Sequence, residues 1–166
     1  MYGAGNQKLG SIVKPSGSPQ AQIKAGKKLR TKFLTNIPAL SKLIDAVQHR
    51  AKTRGYLIGI DKRKLRIRSL HSALNTLLQS TGAIVVKKAT NIMWDEFEAK
   101  GYRFGREIYQ LAHVHDEYQL AVRKDLDPEE IGGIAVNAIR KAGEYFGFRC
   151  PLDGEYKTGD SWADTH

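Results

Sequence analysis

Asp116 and Glu117 are the residues of this chain whose types and position are best suited to chemistry. They are adjacent carboxylates between two short apolar runs, and His115 directly precedes them. Carboxylate oxygens are hard ligands, and Mg²⁺ usually takes one or two of them beside waters and substrate phosphates. We therefore predict that this acidic pair binds a metal ion such as Mg²⁺. From the residues alone, a solvated acidic turn is the alternative.

The residues around this acidic pair predict the element that holds it. Ala112, Val114 and residues 120–122 favour β-structure, whereas Asp and Glu are poor strand formers and suit turns. A β-hairpin with the carboxylates at its tip is therefore expected. His113 and His115 would share one side of a strand and would supply half of a zinc site. Because the chain has five histidines and no histidine cluster, a core or hydrogen-bonded role is favoured for both.

A second group of polar residues recurs every four positions. His71, Asn75 and Gln79 would lie on one side of a helix if its first turn begins by Leu70. Amide groups can donate hydrogen bonds to the purine N3 and pyrimidine O2 acceptors that the minor groove presents at every base pair. From spacing alone, a water-facing polar stripe is the favoured alternative. The buried side of the same helix is predicted to comprise Leu74, Leu77 and Leu78.

Four segments in a fixed order carry a resemblance to a known family. They are residues 2–5, residues 68–83, residues 115–117, and residues 150–153 with Trp162. The His-Asp-Glu triplet between apolar strands resembles motif C of family A DNA polymerases, which are similar to bacterial polymerase I. Together, the four segments resemble the bacteriophage replicative enzymes of that family. The resemblance spans nearly the whole chain, but only the last portion of such an enzyme.

The resemblance implies a fold, a reaction and a set of roles. The fold would be α/β (α+β), with a fingers tail over residues 1–55 and palm-like antiparallel hairpins packed with long helices over residues 56–166. The reaction would be template-directed addition of deoxynucleotides to a primer 3′ end with Mg²⁺ as cofactor. The catalytic residues would be Asp116, Glu117 and His115, with Asp116 as the metal ligand. Primer-template DNA would be held by Arg68, His71, Asn75, Gln79 and Tyr2.

Two parts of the family pattern have no counterpart in this sequence. These are the fingers helix that supplies Arg and Lys to the incoming deoxynucleoside triphosphate, and motif A with the other metal-binding aspartate. We therefore expect the chain to need an N-terminal polymerase segment and to be inactive alone. One alternative is a non-catalytic basic DNA-binding module or inactive polymerase remnant. Another is a metal-dependent nuclease built on His113, His115 and Asp116.

The net charge of +10 is concentrated in one part of the chain. Residues 14–68 hold 15 lysines and arginines against two aspartates, a net of +13; residues 69–166 hold 11 basic and 15 acidic residues, a net of −4; Lys8 adds the remaining +1. Clustered cations attract nucleic-acid phosphates, which favours a phosphate-binding surface over a merely solvated helix face. The residues proposed for this surface are Lys24, Lys27, Lys28, Arg30, Lys32, Lys62, Arg63 and Lys64.

Length, composition and cysteine content narrow the class of protein. A chain of 166 residues with 41% hydrophobic content is long enough for a core. No apolar run approaches the roughly 18 residues of a membrane span, and the first residues lack the apolar core of a secretion signal. We expect a cytoplasmic protein, in the host cell if viral, with no membrane partner. The lone Cys150 is expected to be a small buried hydrophobe.

Glycines, prolines and capping residues predict where the elements begin and end. Proline suits the first helical turn, and glycine suits the position after a helix. A loop over residues 14–22 is expected to precede a helix from about Gln22 to Phe33. The later elements are expected to be a helix from about Pro38 to Gly55, a hairpin with residues 61–64 at its tip, a long buried helix from Ala73 to about Ala89, and a helix from Asp127 to about Phe146.

Overall fold

Helices supply most of the regular structure, and two short hairpins interrupt them. The computed structural model describes residues 4–165, and the chain divides after Gln79 into two units. The fold is mixed α+β, as predicted. Its elements are α1 (Asn6–Val13), α2 (Pro19–Asn36), α3 (Pro38–Arg54), β1 (Tyr56–Ile58), β2 (Lys64–Arg66), a 3₁₀ turn (Leu70–Ser72), α4 (Ala73–Ala99), β3 (Ile108–Val114), β4 (Glu117–Val122), α5 (Pro128–Tyr145) and α6 (Trp162–Thr165).

Two glycines allow α1 and α2 to cross at close range. A Cβ added to Gly10 would lie 1.7 Å from the carbonyl oxygen of Gln22, and one added to Gly26 would lie 1.8 Å from that of Asn6. Real Cβ atoms essentially never approach another heavy atom so closely. The crossing therefore requires glycine at both positions.

The second helix begins before its predicted start. Ser18 accepts a hydrogen bond from the Ala21 backbone N–H through its Oγ (3.3 Å), and Pro19 occupies the first helical turn. The loop predicted over residues 14–22 therefore ends at Ser18, because a capped proline starts a helix and does not prevent one. The exposed surface of α2 also carries apolar side chains. Ile23 and Leu29 are exposed.

A small core holds α3 against the first hairpin. Pro38 starts α3, and Gly55 ends it in the left-handed conformation (φ 75°), as predicted. The buried residues of this cluster are Val47, Ala51, Leu57 and Ala73. Leu74 and Leu77 pack against the cluster, but Leu78 is 52% exposed, so its predicted burial is wrong. The side chains of adjacent residues point about 100° apart around a helix axis. The cluster contacts the side of α4 that carries Leu74 and Leu77, so Leu78 points away from it.

The first hairpin carries the predicted basic tip. β1 and β2 pair antiparallel, with Leu57 opposite Leu65. Leu57 is buried, whereas its neighbour Ile58 is exposed, as expected for alternating sides of a strand. Lys62 lies in the connecting turn with a φ of 67°. The hairpin thus places Lys62, Arg63 and Lys64 at the surface.

The second core is built on a row of α4 residues four positions apart. Val85, Ala89, Met93 and Phe97 are all buried, and Met93 and Phe97 are fully so. The helix therefore continues to Ala99 and does not end near Ala89 as predicted. The remaining buried members come from β3 and α5: Ile108, Ile131, Ile134, Ala138 and Ala142.

The C-terminal helix α5 and the segment after it follow local signals. Asp127 caps α5 by accepting from the Glu129 backbone N–H (2.9 Å), and Pro128 is its first residue, as predicted. Arg140 of α5 pairs with Asp153 of the segment that follows the helix (2.9 Å). Cys150 is exposed, so its predicted burial is wrong. Within residues 4–165, no helix is both long enough and apolar enough to cross a membrane.

Candidate catalytic hairpin and nucleic-acid surface

The β3–β4 hairpin has a two-residue turn that holds Asp116. Val114 lies opposite Glu117, so His115 and Asp116 form the turn and Glu117 is the first residue of β4. His115 is left-handed (φ 56°), whereas Asp116 is not. Positive φ at the first central position characterises type II′ turns, where glycine is usual. The predicted hairpin with carboxylates at its tip is confirmed, and its turn contains a strained histidine.

A β-bulge interrupts β3 before it reaches the turn. Gln110 lies opposite Leu120, and Ala112 lies opposite Gln119. Leu111 is therefore an extra residue with no partner on β4, and its side chain is 68% exposed. A bulge reverses which positions of a strand share a side, because side chains otherwise alternate strictly.

His113 lies opposite Tyr118 as a result of the bulge. The two rings meet edge to face with centroids 5.1 Å apart. Tyr118 packs against the second core, and His113 shares its side of the hairpin but is exposed, so a core role for His113 is wrong. The predicted side-by-side placement of His113 and His115 on a strand is wrong, because His115 lies in the turn. Among residues 4–165, no group of three or more His, Cys, Asp or Glu side chains is arranged to hold a metal ion.

The two tip carboxylates differ in their surroundings. Asp116 is exposed, and no hydrogen bond or ion pair within residues 4–165 engages its carboxylate. Glu117 is half-buried and accepts a hydrogen bond from the Gln119 Nε2 through its Oε1. One available and one supported carboxylate fit the small number of protein ligands that Mg²⁺ takes. The carboxylate oxygens of this hairpin are therefore suitable ligands for a hard divalent cation.

Tyr118 fastens the tip of the hairpin to α4. Its phenol O–H donates to the backbone carbonyl of Val86 (2.6 Å), and the Thr90 Oγ1 lies 3.1 Å from the phenol oxygen. Burial raises the pKa of Tyr118 above its ordinary value, so the donor keeps its proton in neutral solution. Sequence reasoning missed this residue. The available signal was its alternation with Leu120 and Val122, which places the tyrosine ring on the apolar side of β4.

The polar residues proposed for DNA contact lie at the start of α4. Asn75 and Gln79 are four apart on this helix, which confirms that they share a side, while His71 lies in the preceding 3₁₀ turn. His71 and Gln79 are exposed, as is Arg68. Asn75 is half-buried, and within residues 4–165 no hydrogen bond reaches its buried Oδ1. Tyr2 and His166 lie outside the described residues.

The basic block of residues 14–68 is exposed and little neutralised. All of its lysines and arginines are exposed except Arg30, whose guanidinium donates to the Ala4 carbonyl. Lys24, Lys28 and Lys32 follow one another at four-residue spacing on α2 and so share its exposed side. Within the described part of this block, the only ion pair joins Arg63 to Asp61.

Several cations of the second unit, by contrast, have carboxylate partners. Lys100 pairs with Glu130 (2.6 Å), and Lys141 pairs with Glu96 (2.7 Å). A cation that already has a carboxylate partner attracts an external anion less strongly. The unpaired lysines of α2 are therefore better placed to meet the phosphates of a nucleic acid.

Known proteins are similar to this chain along nearly its whole length. Residues 1–164 match the profile of DNA polymerase family A. The chain is 35% identical to a DNA-directed DNA polymerase of Enterobacteria phage T3 and 35% identical to one of Escherichia phage T7, in each case over 100% of this chain and 25% of the relative. It is 37% identical to a DNA-directed DNA polymerase of Escherichia phage Phieco32, over 99% of this chain and 26% of the relative. The chain thus spans about a quarter of the length of these relatives.

Proposed function

This chain belongs to DNA polymerase family A, and we propose that it forms the C-terminal catalytic portion of a DNA-directed DNA polymerase. The reaction is the template-directed addition of deoxynucleotides to a primer 3′ end. The observation that carries the proposal is the unengaged Asp116 carboxylate at the tip of a hairpin whose next residue is a second carboxylate. Such a carboxylate is available to a metal ion without loss of an existing interaction.

The three residues at the tip have different roles in this proposal. Asp116 binds Mg²⁺ directly, and Glu117, held by Gln119, supports it. Bound Mg²⁺ supplies charge stabilisation for the attacking 3′ oxygen and the leaving pyrophosphate. His115 directly precedes Asp116 in the turn, and its left-handed backbone helps to define the geometry of the turn.

DNA contacts are proposed for the first unit. Asn75 and Gln79 donate to minor-groove acceptors of the primer-template, which are present at every base pair and so test pairing without reading sequence. Arg68 and His71 assist them, and the lysines of α2 hold phosphates. By resemblance, Tyr2 stacks near the template base.

The proposal includes a partner. Motif A and the fingers helix, which would complete the metal site and the deoxynucleoside triphosphate site, are expected on an N-terminal polymerase segment. In the polymerase formed by the two chains, residues 1–55 contribute the tail of the fingers and residues 56–166 contribute part of the palm. Two metal ions about 3.5–4 Å apart need carboxylates from more than one segment, which is why Asp116 and Glu117 alone are insufficient.

Primer extension tests the proposal directly. The chain is assayed alone, with an N-terminal polymerase segment that carries motif A, and with the same segment after Asp116→Asn. We expect no extension from the chain alone, extension from the pair, and loss of extension and of Mg²⁺ affinity in the variant while DNA affinity is retained. The matched control is Asp95→Asn, which removes another exposed carboxylate, on α4, and should extend normally. Extension by the chain alone, or full activity of the Asp116→Asn pair, would contradict the proposal.

A non-catalytic DNA-binding module is the second candidate function. It is favoured by the exposed, little-neutralised cations of residues 14–68. The two functions differ in their response to Mg²⁺. A pure binder loses DNA affinity with Mg²⁺ only as far as screening predicts, whereas a polymerase portion shows additional binding of Mg²⁺ that depends on Asp116. Shortening of the DNA in the same titration would instead indicate a nuclease.

A further inference from the structure

Tyr118 connects the tip of the β3–β4 hairpin to α4. Tyr118 lies between Glu117 and Gln119 in β4, and its side chain points to the opposite side of the strand from theirs. On that side, its phenol O–H reaches the Val86 carbonyl at 2.6 Å, inside the second unit. The residue is thus next to the acidic pair in sequence and attached to the longest helix in space.

The ladder of β3 and β4 does not by itself fix the tip. Leu111 is unpaired, so the strand segment beyond it can change its angle relative to the segment before it. A second side-chain bond between α4 and the hairpin, from the Trp94 Nε1 to the Gln110 Oε1 (3.0 Å), lies before the bulge. It therefore holds the base of the hairpin and not its tip.

Thr90 strengthens the attachment beyond the bulge. Its Oγ1 lies 3.0 Å from the Val86 carbonyl oxygen and 3.1 Å from the Tyr118 phenol oxygen. Three polar atoms from three residues therefore meet at one point on α4. Partly buried networks of this kind hold their members in one geometry, since each group would lose a partner by moving.

We propose that Tyr118 is a positioning residue, which holds the Asp116 turn in the place where its carboxylate binds the metal ion by tying β4 to the Val86 carbonyl of α4. The inference rests on the proposed function of Asp116. Small displacements of a metal ligand weaken binding because coordination geometry is strict for Mg²⁺. Within residues 4–165, the hydrogen bonds of the phenol group join it to Val86 and Thr90 and not to the Asp116 carboxylate.

A matched pair of tyrosines separates this role from a general contribution to stability. Tyr118→Phe removes the phenol donor to Val86 and keeps the ring. Tyr102→Phe removes an equivalent donor, because the Tyr102 phenol donates to the Glu130 Oε2 (2.6 Å) in the same unit and is likewise half-buried. Within residues 4–165, no hydrogen bond joins the Tyr102 side chain to the turn of the β3–β4 hairpin.

The measurements are extension rate against Mg²⁺ concentration, DNA affinity and melting temperature, all for the chain paired with an N-terminal polymerase segment. For Tyr118→Phe, we expect the extension rate at low Mg²⁺ to fall about tenfold, the lower end of the loss caused by removing a group bonded to a metal ligand, because Tyr118 acts on Asp116 through the backbone. Half-saturation should move to higher Mg²⁺, with DNA affinity unchanged. Tyr102→Phe should lower the melting temperature by a similar amount and leave the Mg²⁺ profile as in the parent.

Three outcomes overturn the inference, and a fourth overturns its premise. An unchanged Mg²⁺ profile in Tyr118→Phe, or the same shift in Tyr102→Phe, overturns the positioning role. If Tyr118→Phe fails to fold, Thr90→Val tests the inference instead, because it removes only the hydroxyl beside the phenol. A smaller shift of the Mg²⁺ profile in the same direction supports the positioning role, and no shift overturns it. Full activity of Asp116→Asn overturns the proposed function itself.

Discussion

Gly26 of α2 lies directly against the backbone carbonyl of Asn6 in α1, with no room between them for even a methyl group. This contact fixes which side of α2 faces its neighbour. Lys24, Lys28 and Lys32 consequently occupy the exposed side of the helix. The charged surface of the first unit therefore depends on a glycine that carries no charge.

Gly26→Ala should destabilise the chain. A Cβ would lie 1.8 Å from a backbone oxygen, so the helices must separate, and overpacking typically costs about 1–3 kcal/mol. Urea unfolding measures the change. Gly82→Ala is the control, because it also replaces a helical glycine but meets nothing within 4 Å, and it should stabilise by about 0.4–1 kcal/mol. Equal stability of Gly26→Ala and the parent would contradict the close crossing.

Replacing Lys24, Lys28 and Lys32 with Ala should weaken DNA binding and reduce its salt dependence. The slope of log affinity against log salt is expected to fall by about 0.9 for each phosphate contact that is lost. Affinity measured between low and moderate salt on two unrelated duplex sequences provides the slope and shows whether sequence matters.

The control for this triple variant removes the same charge from the second unit. Lys100, Lys124 and Lys141 each have a carboxylate partner, so their replacement with Ala should change the slope much less. A slope that falls equally in both triple variants would show that net charge, and not the exposed side of α2, governs binding.

Asn75→Ala and Gln79→Ala should slow extension by the reconstituted polymerase, most of all from mismatched primer ends. Unpaired minor-groove acceptors cost roughly 1–3 kcal/mol each if the contact is dry. Folding stability should change little, because the Asn75 Oδ1 forms no hydrogen bond within residues 4–165. Single-turnover extension and thermal unfolding test the two halves of this prediction. Asn91→Ala, at an exposed position further along α4, is the control and should extend normally. A large loss of stability with normal extension would make the amides structural.

His115→Gly should stabilise the hairpin and slow catalysis at the same time. Glycine adopts the left-handed conformation of this position without the cost of about 1–2 kcal/mol that a side chain carries. The imidazole beside Asp116 is lost, so extension should slow despite the higher melting temperature. His115→Asn tolerates the same backbone conformation and should slow extension without the gain in stability. Unchanged extension in both variants would remove His115 from the catalytic group.

Local chemistry made several elements predictable from the sequence. Asp127 and Pro128 start α5, Gly55 ends α3, and the acidic pair marks the second hairpin, because each of these residues acts on its immediate backbone. The resemblance to bacteriophage family A polymerases and the α+β class are also confirmed.

Features set by distant contacts were not predictable. The polar residues after Ala89 suggested the end of a helix, but burial of Met93 and Phe97 against β3 and α5 extends α4 to Ala99. The bond from Tyr118 to Val86 joins residues that are 32 positions apart. Tertiary burial outweighs local propensity at such positions.

Because Leu111 is unpaired, β3 contains one residue more than its pairing with β4 requires. Its neighbours Gln110 and Ala112 already face consecutive residues of β4, so loss of Leu111 would leave a regular ladder with every existing partner in place. Strand length at this point can therefore change by one residue without any change in the pairing of His113 with Tyr118 or in the turn beyond it. Among related chains, insertions and deletions before the acidic pair should occur at this position. Such changes alter the length of β3 but leave the geometry of Asp116 unchanged.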